Sequence, residues 1–297
     1  MTMTHGGQRL PDSWGDRIRA MAQGLITPVT ARQAATVLLL RDTPADGPEV
    51  HMLRRRTSMA FAAGMYAYPG GGVDPRDERP VGWAGPSPAV WAERLGLDRP
   101  DAAQAVVCAA VRETFEEAGV LLAGPDASSV VADTTGDAWE ADRRALVAHE
   151  LSFADLLARR DLVLRSDLLG PWARWTTPEF EERRYDTWFF VAALPDGQLT
   201  RDVSGEADHT VWTSPTAAAA AHDAGELLMM PPTLATLRAL TPRADVADVL
   251  AASAGRDMTA VLARLETTGE EIVVSWPGHE EFTLRVPRHA PSAEGTG

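Results

Sequence analysis

One helix, over residues 101–118, has to satisfy two demands at once. Val107, Val111, Thr114 and Ala118 recur at i, i+4, i+7 and i+11. That is the stripe of a 3.6-residue period, so one face must be buried against another element. Glu113, Glu116 and Glu117 fall on another side, at i, i+3 and i+4, and their carboxylates converge. Like charges at that spacing weaken a helix by a few tenths of a kcal/mol, so a purely structural helix has no need of them. Arg112 lies one turn before Glu116 and can pair with it. Carboxylates held this close share protons or bind cations, and all-oxygen clusters suit hard divalent ions such as Mg²⁺ or Mn²⁺. A charge run on its own is more often a solvated helix face. The segments before the helix decide between the two readings.

Residues 34–42 (AATVLLLRD) read as a buried strand, TPADGP as a turn, and residues 49–56 (EVHMLRRR) as the returning strand. Residues 65–72 (MYAYPGGG) form a short strand running into a glycine turn. In SPAVWAERLG, Ser87 can cap a small helix, Pro88 fits its first position and Gly96 can end it. Gly119 stands where the long helix needs a C-terminal cap. Two further helices fall within 137–160. WARWTTP, YDTWFFVAAL and DHTVWTS read as strands, and SPTAAAAAHDAG and PPTLATLRAL begin helices.

Strands and helices alternate irregularly, which predicts a mixed α/β sandwich rather than a regular parallel array. We divide the chain into a loose lead-in (1–30) with a short amphipathic stretch near Trp14 to Met21, a main domain (31–245) and a C-terminal extension (246–297). The extension is expected to hold one helix, a hairpin around PGHE and a disordered tail.

Charge and cysteine usage narrow the function. The net charge is −14 and every one of the 28 basic residues is arginine. So acidic a chain is a poor non-specific binder of nucleic acid, and an anionic ligand needs local arginine or metal to offset the field. The single cysteine, Cys108, excludes an internal disulfide and a cysteine-based zinc cluster. No apolar run approaches the roughly 18 residues of a membrane span. A cytoplasmic location, with no membrane and no nucleic-acid partner, is expected.

The glycine turn followed by R-E-x-x-E-E-x-G-V on a helix is far more specific than either part alone. Together they resemble the Nudix box, G-x5-E-x7-R-E-U-x-E-E-x-G-U, in which U is a bulky apolar residue. Arg112, Glu113, Glu116, Glu117, Gly119 and Val120 match its second half at every fixed position, and Thr114 takes the first U. PGGG aligns Gly71 with the box glycine. The next fixed position then falls on Asp77 rather than Glu; counting from Gly72 reaches Glu78, and counting back from Arg112 reaches Gln104. The spacer of seven residues has become 34 between Asp77 and Arg112, and residues 73–100 form the insertion. This split box resembles the Nudix branch that includes a peroxisomal coenzyme A diphosphatase. The likeness continues through WARWTTP, RRYDTWFFVA and SGEADHTVWTSP, over roughly residues 34–240.

The resemblance implies a Nudix-type α/β/α sandwich with a mixed sheet, and metal-dependent hydrolysis of a nucleoside diphosphate derivative. Coenzyme A or acyl-coenzyme A comes first as substrate. Nucleotide sugars, dinucleotides and other nucleoside diphosphates are alternatives, and so is a nucleotide-sensing domain without turnover. By the same resemblance the metal, Mg²⁺ or Mn²⁺, would be held by Gly71 (through its carbonyl), Glu113, Glu116 and Glu117. Glu113 would be a ligand or the general base, Arg112 would orient the cluster through Glu116, and Glu206 would add a carboxylate from a downstream loop. For substrate binding, arginine suits bidentate phosphate recognition. Arg54 and Arg56 share one strand face, and Arg184 precedes a strand. The resemblance also leaves a homodimer open. The insertion, lying beside the glycine turn, is placed to help choose the diphosphate that enters.

Overall fold

The computed structural model describes residues 13–44, 47–57, 63–203, 205 and 207–289, with the backbone alone of two short strands, Thr4–His5 and Gln8–Arg9. The expected tail and Glu206 lie outside the described residues.

A mixed sheet carries the fold. Its strands are β1 (Arg32–Thr43), β2 (Gly47–Arg55), β3 (Tyr66–Ala67), β4 (Gly70–Gly72), β5 (Gly170–Thr176), β6 (Tyr185–Ala193), β7 (Ala207–Thr213) and β8 (Val261–Leu262). The main path runs β7-β2-β1-β6-β5-β8, with β3 beside β2 and β4 beside β1. β1 and β6 are parallel, in register from Tyr185 opposite Arg32 to Ala193 opposite Leu40. β1–β2, β5–β6 and β2–β7 are antiparallel.

Two-residue alternation sends each strand's side chains to both faces, and here both faces are apolar. Ala35, Val37 and Leu39 of β1 and Trp188, Phe190 and Ala192 of β6 pack under the helices α2 (Pro88–Leu95), α3 (Pro100–Ala118), α4 (Asp137–Val147) and α5 (Phe153–Arg159). Leu38 and Leu40, with Phe189 and Val191, face the other way. They meet α1 (Ser13–Ala22), α6 (Pro215–Asp223), α7 (Pro231–Arg238) and α8 (Val246–Ser253). Helix–sheet–helix layering is the sandwich expected from the sequence.

The helix punctuation behaves as the residue types dictate. Ser87 accepts from the Val90 amide and Gly96 ends α2 at φ 64°. Gly119 ends α3 at φ 72°, its amide bonding the Phe115 carbonyl. The stripe residues Val107, Val111, Thr114 and Ala118 are fully buried. Thr114 fits an apolar position because its hydroxyl donates to the Ala110 carbonyl one turn back, at 2.8 Å.

Both ends of the chain are tied into the fold more closely than their composition predicts. The amphipathic stretch near Trp14 to Met21 is α1, which buries Trp14 and Ile18, and Arg17 bonds the Phe180 carbonyl at 2.6 Å. The extension is not an appendage from residue 246, because α8 packs into the second core and β8 joins β5 in the main sheet. Beyond β8, a strand β9 (Arg264–Thr268) is added to the expected hairpin, which is the antiparallel pair β10 (Glu271–Ser275) and β11 (Leu284–Pro287). The strand missed in the sequence, β9, is largely exposed and polar, so no apolar alternation marks it.

Candidate active site

α3 and β4 meet side by side, and their contact builds the site. Gly70–Gly72 pairs with Thr36–Ala34 of β1. None of the three glycines has positive φ. What excludes a side chain is space: a Cβ on Gly71 would sit 2.5 Å from Glu113 Oε1, and one on Gly70 would sit 2.6 Å from the Ala35 carbonyl oxygen. The glycine turn is therefore a close approach between backbone and carboxylate, rather than the special backbone geometry its composition suggested.

Arg112 is the hub. Its Nε and Nη2 hold the Asp77 carboxylate at 3.0 and 2.9 Å. Nη2 also donates to the Gly72 carbonyl at 2.9 Å. Nη1 donates to Glu113 at 2.7 Å and Glu116 at 3.2 Å. The side chains of Arg112 and Asp77 are only 8% and 2% exposed, so this is a buried, forked pair. Glu117 points to the glycine strand and accepts from the Gly70 amide at 2.9 Å. Arg143 of α4 caps the arrangement by bonding the Glu116 carbonyl at 2.9 Å.

This geometry resolves the split box. Asp77 sits in a 3₁₀ turn, Pro75–Glu78, whose cap Asp74 accepts from the Arg76 amide. The turn delivers Asp77 to Arg112 across 35 positions of sequence. Glu78 is exposed, and Gln104 serves another purpose, its amide tying α3 to the Glu78 and Arg79 carbonyls. The insertion folds against the back of α3, burying Trp91 and Leu95 in the first core. Arg112 thus acts on three carboxylates and a carbonyl, more than the pairing with Glu116 expected from helix spacing.

The electrostatics show what the cluster lacks. Three carboxylates, Asp77, Glu113 and Glu116, share one arginine at the α3–β4 contact, and a fourth, Glu117, lies on the Gly70 amide. Burial pushes the Glu113 carboxyl up to about 7, with Glu116 beside it adding to the rise and Arg112 opposing it. Burial raises Glu116 as well. Buried carboxylates in excess of their cations are stabilised by a proton or a further cation. Among the described residues no three carboxylate, histidine or cysteine groups form a ready-made metal cage. Glu113 and Glu116 turn to Arg112, and Glu117 to Gly70. The donor set nevertheless fits a hard divalent ion, being all oxygen and carrying excess negative charge.

A cavity of about 470 Å³ opens from the glycine strand. Gly70, Gly71 and Gly72 line one end; Arg55, Arg183 and Tyr185 are among its other walls. The arginines expected to bind substrate are elsewhere. Arg54 pairs with Asp208 at 2.7 Å, and Arg56 donates to the Ala207 carbonyl at 3.0 Å, because their shared strand face looks toward β7. Arg184 is buried and bonds the Thr177 and Val29 carbonyls, a structural clamp between loops. Their sequence neighbours Arg55 and Arg183 line the cavity instead. No residue of 73–100 is among those that line the cavity. Cys108 is buried in the core, and burial pushes its thiol up, as for a packing residue rather than a nucleophile.

A glycine strand pressed on an R-E-x-x-E-E helix within a mixed sandwich defines a Nudix hydrolase. The crystal structure of a Nudix hydrolase from Alicyclobacillus acidocaldarius has the same architecture, with a TM-score of 0.62 and 27% identity, covering 75% of this chain and 96% of that one. Residues 86–240 match the NUDT19 Nudix domain model, and the chain belongs to that family. It is 28% identical to the human acyl-coenzyme A diphosphatase NUDT19 over 88% of this chain and 78% of that protein. It is equally similar to the chicken protein of the same name, over 68% of this chain and 65% of the relative. Gly70–Gly72 and Asp77 precede the matched segment; the fold, not that match, joins them to the helix. Among the described residues no helix is long and apolar enough to cross a membrane.

Proposed function

We infer that the chain hydrolyses the diphosphate of coenzyme A or acyl-coenzyme A, using Mg²⁺ or Mn²⁺. The observation that carries this reading is the Arg112 hub, which gathers Asp77, Glu113, Glu116 and the Gly72 carbonyl beside a cavity. The similarity to acyl-coenzyme A diphosphatases supports the choice of substrate.

Glu113, Glu116 and Glu117, with the Gly71 carbonyl, would hold the ion. When bound, it offsets the diphosphate charge and acidifies a coordinated water. The protein's own residues do the rest. Arg112 fixes the carboxylates while it is itself held by Asp77, so the cluster enters the reaction preorganised. Gly71 lets the backbone lie against Glu113, which brings substrate oxygens bound along β4 next to the carboxylates. Glu113, packed against Gly71 of that strand, would serve as ligand or as proton acceptor.

A panel of diphosphates with Mg²⁺ or Mn²⁺, products identified by mass, tests the reading. Coenzyme A is expected to give 3′,5′-adenosine bisphosphate and 4′-phosphopantetheine. Preferential cleavage of nucleotide sugars or dinucleotides would overturn the substrate, and no cleavage with either metal would overturn the enzyme. Glu116→Gln and Glu117→Gln are each expected to lower turnover on the order of 100-fold or more. Melting without metal should stay level or rise, since mutual repulsion is removed. Unchanged turnover in both variants would refute the metal-site assignment.

A further inference from the structure

The cavity beside the glycine strand is completed by two segments outside the matched domain. Trp14 comes from α1 and Trp276 from the residue after β10; both line it together with Trp175, Met65, Met230 and Phe189. The extension also backs the wall: His279 lies 4.7 Å from the Trp175 ring, centroid to centroid, and Phe282 meets the same ring edge-on at 6.3 Å. Trp14 is likewise engaged, edge-on to Phe180 at 5.2 Å. All three indoles are only 4% exposed.

These contacts decide what the cavity can hold. A nucleobase needs an open aromatic face and unspent hydrogen-bonding groups at its edges. Here the Trp14 and Trp175 rings are packed against neighbouring rings. The nearby hydroxyls of Thr177 and Thr176 are already spent on the Tyr185 carbonyl and the Asp186 carboxylate. The end built by the tryptophans is apolar and carries two flexible methionines, which adapt to chains of varying shape, while Arg55, Glu181 and Arg183 line the cavity elsewhere. The cavity's volume falls within the roughly 300–1,000 Å³ of small-molecule pockets. The chamber reaches Gly70–Gly72, the strand that Glu117 bonds through the Gly70 amide and that lies against Glu113, so an occupant sits beside the strand that touches the carboxylates.

We propose that this chamber seats the acyl-pantetheine arm of the substrate, and that Trp14 and Trp276, brought in by the terminal segments, set which acyl groups fit. The inference rests on the coenzyme A reading above, but it has a readout of its own. S-decanoylpantetheine has the arm and no phosphate; 3′,5′-adenosine bisphosphate has the nucleotide and no arm. Calorimetry with the wild-type chain should detect binding of the first. Thr187 lines the chamber from β6, and Thr187→Trp would fill it. That variant should weaken S-decanoylpantetheine about tenfold or more and reduce the decanoyl-coenzyme A to coenzyme A ratio of kcat/KM by a similar factor. Trp276→Ala should instead shift the ratio toward longer chains.

Failure of the wild-type chain to bind S-decanoylpantetheine overturns the proposal whether or not any variant folds, and so does binding of the bisphosphate in the chamber in its place. An unchanged chain-length ratio in two folded variants overturns it too. If the wild type binds S-decanoylpantetheine yet cleaves no coenzyme A, the chamber assignment stands and the functional reading falls.

Discussion

Replacing Asp77 by Asn removes one charge and almost no volume from the buried pair that closes the split box. Arg112 would keep its bonds to Glu113, Glu116 and the Gly72 carbonyl. It would lose the charged partner that takes Nε and Nη2 at 3.0 and 2.9 Å, in surroundings where both side chains are under 10% exposed. Breaking a buried ion pair costs about 3–5 kcal/mol. The surviving bonds put Asp77→Asn at the lower end, about 3 kcal/mol, or a fall in Tm of roughly 5–10 °C for a chain of this size. The exposed neighbour supplies the control: Glu78→Gln should cost no more than about 0.5 kcal/mol. Urea unfolding with coincident fluorescence and circular dichroism transitions gives both numbers. Turnover of Asp77→Asn should also fall, because Arg112 then holds Glu113 and Glu116 less firmly. A loss under about 1 kcal/mol for Asp77→Asn, or a larger loss for Glu78→Gln, would refute the assignment of Asp77 to the first acidic position.

Two further outcomes follow from individual contacts. Gly71→Ala places a methyl 2.5 Å from Glu113 Oε1, so the carboxylate must leave Arg112 or the strand must shift; a cost of about 1–3 kcal/mol and a fall in kcat are expected, and wild-type kinetics would contradict the close approach. His51 is 1% exposed with Nδ1 unpartnered, and burial, assisted by Arg41, lowers it to about 4. Its folded value lies below its unfolded one, so the native state binds fewer protons and stability falls as pH drops from about 6.5 to 4, by on the order of 3 kcal/mol in all. His51→Leu should flatten that part of the stability–pH curve, and an unaltered curve would show that His51 is not its source.

Local information was enough wherever the residue type fixes the local outcome. The stripe of α3, its Gly119 stop, the Ser87 cap and the paired strands β1 and β2 are short-range consequences of periodicity and capping, and they are legible in the chain. The second half of the box is legible for the same reason, since one helix turn brings Glu113, Glu116 and Glu117 together whatever surrounds them. Arg54 and Arg56 show where that reasoning stops. Alternation puts them on one face, but only the neighbouring strand β7 decides that this face meets Asp208 and Ala207 instead of the cavity.

Long-range contacts settled the remainder. Asp77 and Glu78 were equivalent by counting, and the count back from Arg112 fell on Gln104, which is no carboxylate, because an insertion destroys spacing as a guide. Folding selects Asp77 by burying it against Arg112, where an unpaired charge would be costly, and leaves Glu78 in water. The glycines were legible as a turn but not as a cradle, since the exclusion of a side chain at Gly71 depends on a carboxylate 42 positions away. Trp14 and Trp276 stand at opposite ends of the chain, and nothing local links them. They share a cavity wall because α1 and the C-terminal sheet bury their apolar sides in the same core. The sequence by itself thus determined the chemistry of the α3 helix; tertiary structure decided which carboxylate completes it and what lies beside it, because burial and charge pairing act between residues that sequence spacing does not connect.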